Sequence, residues 1–118
     1  MTVPAELRTV LDELAVKGRP GRVPGWSGRV AIVVAGAPWV TCSVNATGVT
    51  VTEGRAADAT VFSVAAVPTL RRWLVDGVDH THLLQSGQAR IEGVSFDVLL
   101  LSKALGLRPD RTRIEARG

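Results

Sequence analysis

The run Gly93-Val94-Ser95-Phe96-Asp97 follows a short β-like stretch and opens a leucine-rich one, the setting in which hydrolases hold a nucleophilic serine on a sharp turn. That chemistry needs a second glycine where Asp97 stands and a histidine after the serine, whereas His80 and His82 both precede it. Ser95 reads instead as the N-cap of a helix whose first turn carries Asp97, where a carboxylate is favoured by the exposed N–H groups. The two histidines stand two apart, a spacing that shares a face on a strand but not on a helix. No cysteine or third histidine completes a metal site beside them, so they are expected as a solvent-exposed pair at a helix start. Cys42 alternates with polar neighbours on an apolar strand face, with no histidine close in sequence to lower its pKa, and reads as an inert buried thiol. The glycines between positions 18 and 28 match neither a dinucleotide fingerprint nor a phosphate loop, because no Gly-Lys-Ser/Thr occurs and no strand precedes Gly18. Residue types and spacing therefore imply no metal, no cofactor and no catalytic residue.

A chain of 118 residues with 46% hydrophobic and 21% charged side chains is too apolar for disorder and of the size for one domain. Its longest apolar runs, Val30–Ala37 and Val98–Leu101, fall well short of the roughly 20 residues that span a bilayer. The first residues carry Glu6, Asp12 and Glu13, unlike a signal peptide, and one cysteine excludes an internal disulfide, so a cytoplasmic protein is expected. Fourteen basic residues against 11 acidic ones leave a net charge of +3. The basic residues gather at Arg19, Arg22 and Arg29 and again at Arg108, Arg111, Arg113 and Arg117, the latter interleaved with Asp110 and Glu115. Neither group is dense enough for a nucleic-acid site, and at most a transient contact with a membrane surface is expected.

Periodicity places the elements. Leu7, Val10, Leu11 and Leu14 recur at helical spacing after Pro4, predicting an N-terminal helix within residues 1–18 that ends at Gly18. Residues 18–28, with four glycines and two prolines, predict a loop in which Val23 and Trp26 tuck against the core edge. Between residues 29 and 64 the period falls to two. Val30, Ile32 and Val34 share one face and Ala31, Val33 and Ala35 the other, so this strand is apolar on both sides and belongs at the centre of its sheet. Val40–Val44 and Val49–Glu53 alternate apolar and polar residues around the turn Asn45-Ala46-Thr47-Gly48, predicting an antiparallel meander, and a fourth strand is expected over Ala57–Val64. Residues 67–107 predict a helix from Pro68 to Gly77, a second over His80–Ser86, a strand over Ala89–Gly93 and a last helix from Ser95, with a polar tail at 108–118. The last helix carries two apolar stripes. Phe96, Leu99, Leu100, Ala104 and Leu107 form one and Val98, Leu101 and Leu105 the other, leaving Asp97, Ser102 and Lys103 for water. Since one stripe is enough to seat a helix, the other implies a second apolar partner.

Several words in fixed order carry a resemblance: Ala57-Asp58-Ala59-Thr60, Leu74-Val75-Asp76-Gly77, Val78-Asp79, Gly87-Gln88-Ala89-Arg90-Ile91-Glu92-Gly93 and the closing leucine-rich helix. Together they resemble the sterol carrier protein type two family from about residue 4 to residue 107, with Gln88 where the family often has lysine and Val94 where it often has a polar residue. The ending Ala116-Arg117-Gly118 lacks a peroxisomal tripeptide, which fits a stand-alone bacterial-type member.

The resemblance implies an α+β fold: a five-stranded mixed sheet covered on one side by helices and enclosing an apolar tunnel. It implies a non-catalytic carrier of a hydrophobic small molecule such as a sterol or fatty acyl chain, bound by apolar area at about 25 cal/mol per Å² and therefore without a charged signature. The expected wall residues are Leu70, Trp73, Leu74, Leu83, Leu84, Phe96, Leu99, Leu100 and Ala104. Two other readings stay open. The pocket could serve a cyclase or isomerase of secondary metabolism, which requires Asp58, Asp97, His80 or His82 to reach it as an acid or base. Alternatively, the second stripe of the last helix is a homodimer or interaction surface.

Overall fold

The computed structural model describes residues 3–18 and 23–107. The helix α1 (Ala5–Val16) opens behind Pro4 and buries Leu7 and Leu11, the centre of its apolar stripe. The strand β1 (Gly28–Val34) follows the loop that holds Val23, buried, and Trp26, packed at the core edge. The strands β2 (Ala37–Asn45) and β3 (Gly48–Glu53) complete an antiparallel meander with it. The strand β4 (Thr60–Val64) pairs parallel to β1, and β5 (Ala89–Glu92) pairs antiparallel to β4, giving the mixed order β3-β2-β1-β4-β5. The doubly apolar β1 is central, as its sequence requires.

The turns explain the register. Asn45 pairs with Gly48, and the Asn45 carboxamide oxygen accepts from the Thr47 N–H at 2.8 Å, an Asx turn that closes the hairpin. The β1–β2 hairpin is tighter than the sequence announced. Ala35 and Gly36 both take positive φ, at 52° and 82°, so β2 starts at Ala37 and not at Val40, with Pro38 ahead of the stretch that β3 pairs and a bulge between Ile32 and Val33. The fourth strand is shorter than the expected Ala57–Val64, because residues 56–59 form a turn in which the Ala59 N–H donates to the Ala56 carbonyl.

The described helices pack on one face of the sheet, and the connection after β3 lies on the other. Val30, Ile32 and Val34, Val40, Cys42 and Val44, and Phe62 and Val64 point to the helices and form the main core with Leu7, Leu11, Leu70, Trp73, Leu83, Val98 and Leu101. On the opposite face Ala31, Val33 and Val61 make a small separate cluster with Ala59. There the connection after β3 is pinned at Thr41, whose hydroxyl donates to the Gly54 carbonyl at 2.8 Å and accepts from the Ala56 N–H at 2.9 Å.

Of the helices, α2 (Val67–Leu74) packs on β4 and α1, and buries Thr69, Leu70, Trp73 and Leu74. Arg71 of α2 pairs with Glu6 of α1. The short α3 (His80–Gln85) sits against β5 and starts behind Asp79, whose side chain accepts from the Thr81 N–H at 3.1 Å. The last helix, α4 (Ser95–Leu105), lies across β1, β4 and β2.

Two expectations about α4 are corrected. Ser95 is its first residue and not its cap: the N-cap is Val94, without a side-chain cap, and the Val94 N–H donates to the Thr60 hydroxyl. Ser102 faces the sheet and not water, its hydroxyl satisfied by the Val98 carbonyl one turn back at 2.9 Å.

Candidate functional site

The strand β4 carries Phe62 on the helical face beneath both α2 and α4. The Trp73 ring of α2 meets Phe62 edge to face with centroids 5.0 Å apart, and His80 of α3 meets it edge to face at 6.5 Å. Five of the expected wall residues, Leu70, Trp73, Leu74, Leu83 and Ala104, converge in this same core, and Leu84 and Leu100 pack half-buried at its margin. Their common cause is helical spacing: Leu70, Trp73 and Leu74 repeat at three and four residues and so share the face α2 turns to the sheet.

Phe96 and Leu99 stand apart from this cluster. The stripe of α4 that meets the sheet is Val98, Leu101 and Leu105, with Ser102 and Ala104 at its sides. At 100° per residue, Phe96, Leu99 and Lys103 therefore fall on the outer side of the helix. Phe96 is 60% exposed and the preceding Val94 59%. The helix is thus apolar on both faces, one sealed on the sheet and the other exposed at Phe96 and half-buried at Leu99.

The polar groups that acid–base chemistry would need fall in separate places: Asp58 and Asp97 border one surface cleft, His80 lies against Phe62, and His82 is in solvent. His80, expected in solvent, is 7% exposed, because α3 turns its first residue toward Phe62; its Nδ1 lies 3.3 Å from the Asp79 carboxylate. Asp58 is exposed in the turn before β4, and its carboxylate accepts from the Arg29 guanidinium at 3.1 and 3.2 Å.

Asp97 has a structural assignment that sequence reasoning missed. One oxygen accepts from the Trp26 indole N–H at 3.2 Å and the other from the Thr60 hydroxyl at 2.7 Å, tying the loop before β1, the start of β4 and the first turn of α4 together. Two close approaches support the knot. A Cβ on Gly28 would stand 2.5 Å from the Trp26 ring, and Gly93, at φ 117°, runs past Thr60 closely enough that a Cβ would meet its hydroxyl at 3.0 Å. No local signal announces bonds that span 71 and 37 residues.

Two of the clefts that open at the surface are bounded by described residues. One, of about 450 Å³, is bounded by Ser27 to Arg29, Ser43 to Asn45, Asp58 and Asp97. The other, of about 400 Å³, is bounded by Ala35, Gly36, Ser63 to Ala65 and Gly87 to Arg90. Both are lined by polar and apolar groups in comparable measure, and neither includes any of the nine expected wall residues. Among the described residues no group of three or more His, Cys, Asp or Glu side chains is placed to hold a metal ion. No helix among them is long and apolar enough to cross a membrane. The arginines at 19, 22, 108, 111, 113 and 117 lie outside the described residues.

Cys42 lies fully buried on the helical face of β2, and burial pushes its thiol up from 9.0 to about 12. With the folded value above the unfolded one, the native state keeps a proton that the unfolded chain gives up. This contribution to stability is complete below pH 9 and is lost as pH rises toward 12. Two outcomes follow: Cys42 should resist iodoacetamide at pH 8 until denaturant is added, and urea midpoints should fall above pH 9 more steeply than in Cys42→Ala. Alkylation of the native protein at the rate of a free thiol would refute the first, and parallel pH curves the second.

No family model matches the chain, and no curated protein matches it in sequence. Solved structures do share its fold. A sec-alkylsulfatase double mutant, PisA1 S233Y F250G, superposes with a TM-score of 0.67 at 16% identity over 86% of this chain, and the stereoselective inverting sec-alkylsulfatase Pisa1 from Pseudomonas sp. with 0.64 at 17% over 82%. The chain spans only 16% and 15% of those two proteins. The palmitated SCP2L2 from Aedes aegypti superposes with a TM-score of 0.54 at 15% identity, over 83% of this chain and 92% of that one. At these identities the likeness is one of fold alone, and this chain's is a five-stranded mixed sheet with helices packed on one side.

Proposed function

We propose that this protein binds and carries a hydrophobic small molecule without transforming it, a lipid with an acyl chain or a sterol-like ring system. The ligand lodges on the helical side of the sheet, over Phe62 and between α2 and α4. The observation that carries the reading is the apolar surplus of α4: its sheet-facing side chains are enough to hold it in place, yet Leu99, Leu100 and Phe96 add a second apolar side. A helix held by the sheet beneath it can shift outward by the width of an acyl chain and re-cover the ligand with side chains of the same type, because apolar contacts have no direction to preserve. The wall then comprises Leu70, Trp73, Leu74, Leu83 and Ala104, with Leu84, Leu100, Leu99 and Phe96 around the mouth. The shared fold with a palmitated sterol-carrier-like protein supports the choice of ligand class.

Asp58 and Asp97 border one surface cleft, which includes none of the expected wall residues, and His80 lies against Phe62; it is the engagement of the two carboxylates that favours a carrier over an acid–base catalyst. Asp97 is engaged by two donors, Asp58 by Arg29, and His82 stands in solvent.

Native mass spectrometry of the purified protein should show a bound lipid that denaturing extraction releases, and titration with palmitate should change the emission of Trp73 saturably. Leu100→Arg places a charge at the half-buried margin of the core. It should weaken cholesterol binding at least about tenfold, since the uncharged ligand would cover the guanidinium without pairing it, while the empty variant remains folded with its guanidinium in water. An empty protein that ignores both palmitate and cholesterol, or a Leu100→Arg variant that binds as the parent does, would overturn the reading.

A further inference from the structure

His80 is an ionisable side chain set into an apolar wall. Its side chain is 8% exposed, and its ring lies edge to face on Phe62 with centroids 6.5 Å apart. Among the described residues the buried polar side chains are Thr41, Thr60, Thr69, His80 and Ser102, and of these only His80 can carry a charge near neutral pH. The Asp79 carboxylate stands 3.3 Å from its Nδ1 and also accepts from the Thr81 N–H at 3.1 Å, where it caps α3. The charges on neighbouring elements are directed elsewhere. On β5, against which α3 packs, Arg90 and Glu92 are paired in register with Ser63 and Val61, and Val61 belongs to the far face of the sheet. On α2, Arg71 pairs with Glu6 and Arg72 donates to Gln88, while Asp76 beyond them is exposed. On α4, Asp97 is held by Trp26 and Thr60 and Lys103 is exposed, and His82 of α3 is exposed as well.

Burial disfavours an imidazolium, a neighbouring carboxylate offsets part of that cost, and a second anion offsets more. A ligand that enters over Phe62 with an acid group at its end therefore supplies a partner for a proton on the ring, whereas an ester or a hydroxyl does not. We propose that His80 selects the headgroup of the carried molecule, taking an amphiphile that ends in an ionised acid in preference to a neutral alcohol, ester or sterol. The acyl chain lies over Phe62, and the imidazolium stands between the headgroup and the Asp79 carboxylate. Asp79 is half-buried, which puts this end of the site close to water. The selection rests on the carrier reading, since it needs an occupant over Phe62. Its sign follows from linkage: binding the acid takes up a proton, so affinity for an acid rises as pH falls through the imidazole range, and affinity for a neutral chain does not.

The test is calorimetric titration of the full chain with laurate and with dodecanol at pH 6, 7 and 8. An aliphatic carboxyl titrates near about 4.3, so laurate stays ionised throughout and its own protonation does not imitate the effect. Laurate should bind about tenfold more tightly at pH 6 than at pH 8, and its binding enthalpy at pH 7 should vary with the ionisation enthalpy of the buffer, the mark of proton uptake. Dodecanol should bind equally at all three pH values without that uptake. His80→Gln should hold dodecanol as the parent does, which shows that it is folded, and should lose both the pH dependence and the proton uptake with laurate. A second measurement leaves His80 in place: in His82→Gln, an exposed change, the remaining imidazole resonances should move toward the charged form at pH 7 on adding laurate and not on adding dodecanol. Laurate affinity flat from pH 6 to 8 beside bound dodecanol, an imidazole unmoved by laurate, or a His80→Gln variant that keeps the pH dependence would overturn the selection and leave the carrier reading standing. A protein that takes neither laurate nor dodecanol would overturn both.

Discussion

Trp73→Ala is expected to lower the free energy of unfolding by about 3–5 kcal/mol, the range for removing a large aromatic ring from a packed core. Trp73 is 1% exposed, and its ring is the edge-to-face partner of Phe62, itself fully buried at the centre of the sheet's helical face. The alanine loses the transfer free energy of the indole and leaves a void bounded by the Phe62 ring and the leucines of α2 and α3. Collapse is limited, because β4 is fixed by β1 on one side and β5 on the other. Urea denaturation followed by circular dichroism should therefore show a lower midpoint with an unchanged slope. A loss below about 1 kcal/mol would mean that the surrounding side chains close the void, and the rigid core described for this region would be wrong.

The second large effect is expected at Asp97. Two hydrogen bonds to a carboxylate, each worth about 1.5–3 kcal/mol when the acceptor is charged, join three segments distant in sequence. Partial exposure of the group reduces that sum, and Asp97→Ala should cost about 2–3 kcal/mol. The loss has a second readout: Trp26 is released from its hydrogen bond, so its contribution to the emission should shift to the red. Thr60→Val removes a partner of the same carboxylate, and also the hydroxyl that receives the Val94 N–H. The double variant should therefore be less destabilised than the two single losses added together. Strict additivity would show that the knot is not cooperative and that Asp97 acts only through its place in the first turn of α4.

The expected effects differ because the two sites hold the fold in different ways. Trp73 contributes area that no nearby side chain replaces. Asp97 contributes little area but decides where the loop before β1 and the last helix meet the sheet. If α4 moves when a ligand enters, the Asp97 knot at its N-terminal end is the fixed point and its C-terminal half the part that travels.

Much of the architecture was legible in local pattern. The double apolar face of Val30–Val34 implied a central strand, the alternation of Val40–Val44 and Val49–Glu53 implied the meander, and Pro4, Gly18 and Pro68 marked the ends of α1 and the start of α2, although α2 stops at Leu74, before the expected Gly77. These signals survive because each arises within a few residues: pleat, helical turn and φ restriction are properties of the backbone near each side chain. The tight turn at Ala35-Gly36 left no such mark, since alanine at positive φ is uncommon and nothing in the local residues distinguishes it. The burial of His80 and Ser102 was equally silent, because a short helix can be rotated by one position without breaking any pattern rule.

Sequence by itself determined that α4 has two apolar stripes, since the order of residues at 100° per residue settles how many a helix carries. Only the tertiary structure decided that Val98, Leu101 and Leu105 take the sheet while Phe96 and Leu99 face outward, because that choice turns on how the helix is rotated about its own axis. The burial of Val98, Leu101 and Leu105 and the bonds of Asp97 agree on one rotation: the Asp97 oxygens reach Trp26 and Thr60, and the 97 and 101 side of the helix turns toward the sheet. Bonds between residues 71 and 37 positions apart come into being only when the chain has folded around them.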